Sequence, residues 1–161
     1  MLVLELAAQC ILVGLLAGWL LIGAYENIRA PEVNYALVQD VFSMTSMSQT
    51  YPEIYEQVKG NAITSPAIHK LIFRSVVIVE SVVALALAAA TCLLILGLLG
   101  AASVSFATLF AGWATLGFII IWGSFLVGGN WFHYWVSHQS SQQTHYLMTV
   151  WGITTLILLL I

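Results

Sequence analysis

Charge is what this sequence has least of. Four Lys and Arg and seven Asp and Glu occur in 161 residues, too few to clothe a water-soluble domain of that length. No basic cluster or interleaving of aromatic with basic residues is present and the net charge is −3, which excludes nucleic acid as a partner. Cysteine is equally scarce. Cys10 and Cys92 sit singly in apolar runs without CxxC spacing, so neither a thioredoxin-like redox motif nor a zinc site is indicated, and both read as buried structural thiols. There is no Ser-His-Asp order, no phosphate-cradling glycine loop and no pair of catalytic carboxylates, which argues against a hydrolase, kinase or ATPase and for a protein without enzymatic activity. The N-terminus lacks the positive n-region and small-residue cleavage site of a signal peptide, so its apolar run is expected to stay in place as a first transmembrane helix.

What the chain has is long hydrophobic runs. It is 61% hydrophobic, and the runs reach the roughly 20 residues that cross a bilayer at about 1.5 Å per residue. The prediction is a single all-α membrane domain: four transmembrane helices in a bundle at about 2–24, 70–99, 105–130 and 144–161, with a polar loop at 25–68. The third helix is expected to run on to Trp135, ahead of a polar turn at 137–143. The loop is itself patterned. Pro31 and Glu32 suit a first helical turn, and Tyr35, Val38, Val41, Phe42 and Met44 recur at helical spacing among polar residues, predicting a short amphipathic helix. A second short helix is expected at 52–58, with Thr50 as its cap and Gly60 past its end. Ser65-Pro66 is the N-cap and first-turn signature of the next long helix. That helix exceeds one crossing, so its first turns, with His69, Lys70 and Arg74, should project into the polar layer.

An even number of crossings puts both termini on one side and the long loop with the 136–143 turn on the other. Arg29, Lys59, Lys70 and Arg74 all fall on the loop side. Excess Lys and Arg mark the cytoplasmic face, so the loop and turn are expected in the cytoplasm and both termini in the periplasm. The same topology gathers His69, His133, His138 and His145 at the loop end.

Glu80 is the most unusual residue, since an ionisable group inside a transmembrane helix is costly and usually functional. Its same-face neighbours Phe73, Val76 and Val77 are apolar, and His69 shares the face about three turns away. A proton or cation relay from Glu80 toward His69 is one reading; a protonated carboxyl, or one paired with a neighbouring helix, is the blander one. Arg74, Glu80 and Asn130 form the expected set of polar or ion-pairing groups within the membrane. Further along, Asn130, His133 and Ser137 share a face of the expected third helix, and Gln142, His145 and Thr149 form a stripe on the fourth. Facing each other and His69, these could hold haem b or a quinone headgroup, because bundles build cofactor sites from inward side chains. No metal is predicted, because His133, His138, His145 and Glu80 would not reach one ion together. The bland alternative is histidines that contact headgroups. Gly14, Gly18, Gly112, Gly117, Gly128 and Gly129 permit close helix approach.

The stretches Val38-Gln39-Asp40-Val41-Phe42-Ser43-Met44, Ala62-Ile63-Thr64, Arg74 through Glu80 and Gly128-Gly129-Asn130-Trp131-Phe132 together carry a family resemblance. The chain resembles a bacterial family of predicted small integral membrane proteins, a domain of unknown function. The resemblance implies a bacterial four-helix membrane protein and brings no established activity. From minimal extramembrane mass and a structured loop, the expected function is a small non-catalytic subunit of a larger inner-membrane complex of the respiratory or another energy-transducing kind, with the lipid bilayer and other membrane subunits as partners. A membrane redox protein using the four histidines is the rival reading, and a carrier using Glu80 a weaker one.

Overall fold

The computed structural model describes residues 3–161. Eight α-helices follow in chain order: α1 (Val3–Arg29), α2 (Pro31–Ser43), α3 (Thr45–Thr50), α4 (Pro52–Val58), α5 (Pro66–Leu98), α6 (Val104–Trp131), α7 (Tyr134–Ser137) and α8 (Gln139–Leu160), with a 3-10 turn at Lys59–Asn61. No strand occurs among the described residues. The expected start of the first helix at Leu2 lies outside the described residues.

Helices α1, α5, α6 and α8 are long and apolar enough to cross a membrane, and they pack side by side in the order α1, α5, α6, α8. Their shared core is built largely of small side chains: Ala84 and Ala90 on α5 alternate with Leu87 and Leu94, and Ala107, Ala111 and Ala114 on α6 lead to Phe118. Alanine at these spacings lets backbones approach closely, the main source of helix association in lipid. Outward faces are apolar too. Ile11, Leu15, Ile22, Ile78, Val82, Leu85, Trp113, Ile120 and Val127 are all exposed, an arrangement stable only with hydrocarbon around it. The protein is thus a multi-pass integral membrane protein.

The connection between α5 and α6 is a tight return. Gly100 adopts φ +73°, and the Ser103 side chain accepts from Phe106 N–H to cap α6. Ser65 and Pro66 open α5 as expected, although no side-chain bond caps it. Thr50 does not cap α4; it ends α3, a helix not foreseen, and Tyr51 takes the capping position.

The polar loop folds into a layer with a core of its own. Met44, Met47, Phe132 and Val136 are buried together, with Val41, Phe42, Tyr55, Val58 and Ile63 packed around them. Asn61 donates to the Trp131 carbonyl at 2.8 Å, so the layer sits on the α6–α7 junction. The long loop and the α6–α8 turn therefore share one end of the bundle. Exposed Tyr25, Trp131, Trp135 and Tyr146 ring that end, as interfacial aromatics do.

The third long helix stops earlier than expected. It ends at Trp131, and His133 takes a left-handed conformation at φ +52° before α7 begins. The reversal folds Tyr134 back onto Gly129, where an added Cβ would lie 2.6 Å from the ring. Only glycine leaves that space. Asn130, His133 and Ser137 consequently do not share a helical face, and the fourth long helix opens at Gln139 rather than at 144.

Candidate functional site

Because α5 has 33 residues and is about 50 Å long, its first turns rise past the end of α1 and α2 packs beside them, with Tyr35 against Phe73 at 5.7 Å. Glu80 therefore lies level with the last turn of α1, under the loop layer. Its partner comes from that turn. Asn27 Nδ2 donates to Glu80 Oε2 at 2.8 Å, and Asn34 of α2 donates to Asn27 Oδ1 at 2.6 Å. Glu80 and Asn27 are buried while Asn34 is exposed, so a short ladder of amides links the carboxyl to the loop-side surface.

This ladder forms one wall of a cavity of about 430 Å³ between the helix ends and α2. Much of the remaining lining is aromatic, with Trp122, Phe125, Tyr134 and His145 among the residues. The Tyr134 and His145 rings stack at 5.9 Å, and His145 lies 5.5 Å from Trp122. Three of these side chains carry a buried polar atom without a hydrogen-bond partner: Trp122 Nε1, Tyr134 OH and His145 Nδ1. Such atoms cost about 1–3 kcal/mol each when left unpaired, and all three side chains line this cavity. Burial pushes the Tyr134 phenol up from its ordinary value, which keeps its proton available for donation. No Lys or Arg lines the cavity.

The four histidines are not brought together. His69 is almost wholly buried; Nε2 donates to the Ile63 carbonyl at 2.7 Å, and its ring stacks on Phe42. His138 bonds through Nε2 to Asp40 at 2.9 Å and through Nδ1 to Ser137 at 2.9 Å. His133 occupies the left-handed turn beside Trp135, and of the four only His145 lines the cavity. The expected relay from Glu80 toward His69 is replaced by the amide ladder, and amides do not exchange a proton as an imidazole does. Arg74 and Asn130 are exposed and do not join Glu80. Among the described residues no three His, Cys, Asp or Glu side chains are grouped as for a metal ion.

A family model described as a predicted small integral membrane protein, DUF2165, matches residues 5–161. The chain belongs to this family. Comparisons with curated proteins and with solved structures find no match.

Sequence reasoning about this family member missed Asn27, Asn34, Trp122 and Tyr134. Asn27 carries a weak signal, since an amide two residues before the end of an apolar helix can reach inward. Tyr134 carries none without the reversal at His133.

Asp40 supplies the other polar contact of functional weight. Partial burial raises its pKa, but bonds from the Ser46 hydroxyl and N–H and from His138 outweigh this and hold its carboxyl below the usual range. Ser46 belongs to α3 and His138 precedes α8, so one carboxylate ties the loop layer to the turn. A depressed folded pKa means the contribution is complete above the unfolded Asp value near 3.9 and is lost as pH falls through the folded value. Thermal unfolding of wild type against Asp40→Asn should show a difference of about 1–2 kcal/mol at neutral pH that closes on acidification. A difference unchanged at pH 3 would contradict the assignment.

Proposed function

We propose that this is a non-catalytic membrane protein that holds an amphiphilic small molecule at the loop end of its bundle. One observation carries the reading: a largely aromatic cavity lined by a buried carboxyl, Glu80, and by three side chains that each hold a polar atom without a hydrogen-bond partner. Ligand sites are concave, mostly apolar and fitted with a few convergent polar groups, and this cavity has that composition. Haem b ligated by two histidines is disfavoured, since only His145 reaches the space. Purification in mild detergent, followed by extraction and mass spectrometry, should recover an amphiphile near one per chain. Recovery of nothing beyond bulk lipid in its bulk proportions would count against it.

A second reading, a small subunit of a larger bacterial inner-membrane assembly, draws support from the loop layer. Val33, Tyr51 and Ile54 lie outside the four long helices yet are exposed, an apolar set that a neighbouring subunit would cover. Native co-purification tests this, and a monodisperse particle of this chain alone would speak against it. Both readings place the loop end in the cytoplasm and the termini in the periplasm, supported by Arg29, Lys59, Lys70 and Arg74 at that end. Cysteines introduced at Gln49 and Ser140 should label from the cytoplasm only.

A further inference from the structure

Glu80 is a buried carboxyl without a cation. It is 6% exposed, and among the described residues no ion pair includes it. The side chains of Arg29, Lys59, Lys70 and Arg74 are all exposed. His145, the imidazole of the cavity lining, is packed among the rings of Trp122, Phe125 and Tyr134 and makes no bond to Glu80 among the described residues. The neighbouring amides favour the charged form of the carboxyl, because both donate in its direction: Asn34 to Asn27, and Asn27 to Glu80 Oε2. A buried carboxylate held by one amide and no cation is costly. Positive charge on a bound molecule would offset that cost.

The carboxylate is also within reach. Oε1 makes no hydrogen bond among the described residues and is not one of the atoms closed to solvent, as Trp122 Nε1 is; its side chain lines the cavity of about 430 Å³. No other Asp or Glu lines that space among the described residues, so the charge to be matched is a single one. One free carboxylate oxygen cannot satisfy the three N–H donors of a primary ammonium, whereas a quaternary onium ion has none to satisfy. Trp19, Phe42, Phe73, Trp122 and Phe125 line the same cavity, and aromatic side chains attract cations of that weakly hydrated kind. With no Lys or Arg in the lining, a phosphate head finds no counter-charge.

Resting on the amphiphile-binding reading above, we propose that this cavity binds a free lipophilic onium cation, its positive centre against Glu80 and its apolar groups against the aromatic lining. The proposal concerns binding alone; no transport is assigned.

The test uses the purified full chain in an uncharged detergent, titrated separately by native mass spectrometry with three probes. These are tetraphenylphosphonium, tetraphenylborate, which has the same shape and the opposite charge, and phosphatidylcholine, which carries its quaternary ammonium on a phosphate. One tetraphenylphosphonium per chain is expected, with the other two bound at least about tenfold more weakly. Glu80→Gln keeps the size of the side chain and an acceptor for Asn27 but removes the charge. It should weaken tetraphenylphosphonium at least about tenfold and leave tetraphenylborate no weaker, with the thermal midpoint showing that the variant is folded. Where that variant fails to fold, the comparison of the two ions on the wild-type chain decides by itself. Tetraphenylborate or phosphatidylcholine bound as tightly as tetraphenylphosphonium, or a folded Glu80→Gln chain with wild-type affinity, would overturn the onium assignment. If neither ion binds while phosphatidylcholine or another co-purified amphiphile occupies the site, this inference fails and the broader reading survives. If nothing binds, both fail.

Discussion

Replacing His69 with alanine is expected to destabilise the protein by about 3–5 kcal/mol and to free the loop layer from the bundle end. The imidazole is almost completely buried, stacked on Phe42, and bonded to the Ile63 carbonyl. Truncating a buried side chain of this size to alanine costs about 2–5 kcal/mol, and the stranded Ile63 carbonyl adds about 1–3 kcal/mol. The two overlap, since relaxation that fills the void can also admit water to the carbonyl. Phe42 connects the effect to the whole layer: its carbonyl accepts from Ile63 N–H at 2.8 Å, and its ring meets Phe132 edge-on at 4.6 Å. His69→Phe keeps the stack and loses only the hydrogen bond, so a smaller loss of about 1–2 kcal/mol is expected. Thermal unfolding in detergent gives the stabilities, and limited proteolysis near Tyr51 reports release of the layer. Equal stability of His69→Ala and wild type would show that the layer is held without this residue.

The second large effect is expected at Gly152, in the contact between α8 and α6. A Cβ there would lie 2.7 Å from Ile119 Cγ1 and 3.1 Å from Phe118 Cδ1. Phe118 is fully buried, so its ring has nowhere to move, and only Ile119 can yield. Valine adds two methyl groups at the same point. Overpacking of this kind costs about 1–3 kcal/mol and occasionally more, and α8 has little else to hold it, because its contact with α1 is slight. Gly152→Val should therefore lower the thermal midpoint and expose α8 to protease, whereas Gly18→Val, where a Cβ meets nothing within 4 Å, should do neither. Equal behaviour of the two variants would mean that α6 and α8 are not packed as described.

The spans were legible because hydrocarbon imposes one simple demand, that backbone polar groups be satisfied within the segment. Long uninterrupted apolar runs meet it only as helices, and the observed α1, α5, α6 and α8 coincide with those expected apart from their ends. Local chemistry was legible where it depends on neighbours in sequence, as at Ser65-Pro66. It failed at α3, whose Thr and Ser residues have weak helix preference; the helix is held by Asp40, six residues before Ser46. It failed again at His133, where the pressure that ends α6 comes from Tyr134 packing on Gly129 and His145, none of which periodicity records.

Glu80 shows the division most clearly. Counting along α5 puts it well inside a membrane helix, and its apolar neighbours give no partner. Its partner is Asn27, 53 residues away, and its depth depends on how far α5 overshoots α1.

Composition and hydropathy by themselves determined that this chain is an all-helical membrane protein with four crossings and a patterned loop, because transfer of apolar surface and backbone satisfaction are properties of each segment alone. Tertiary structure decided which polar groups meet. It separated the four histidines, joined Glu80 to Asn27 and through it to Asn34, and set three side chains with unpartnered polar atoms along one cavity, because those outcomes depend on the relative heights and rotations of packed helices, to which no single segment is sensitive.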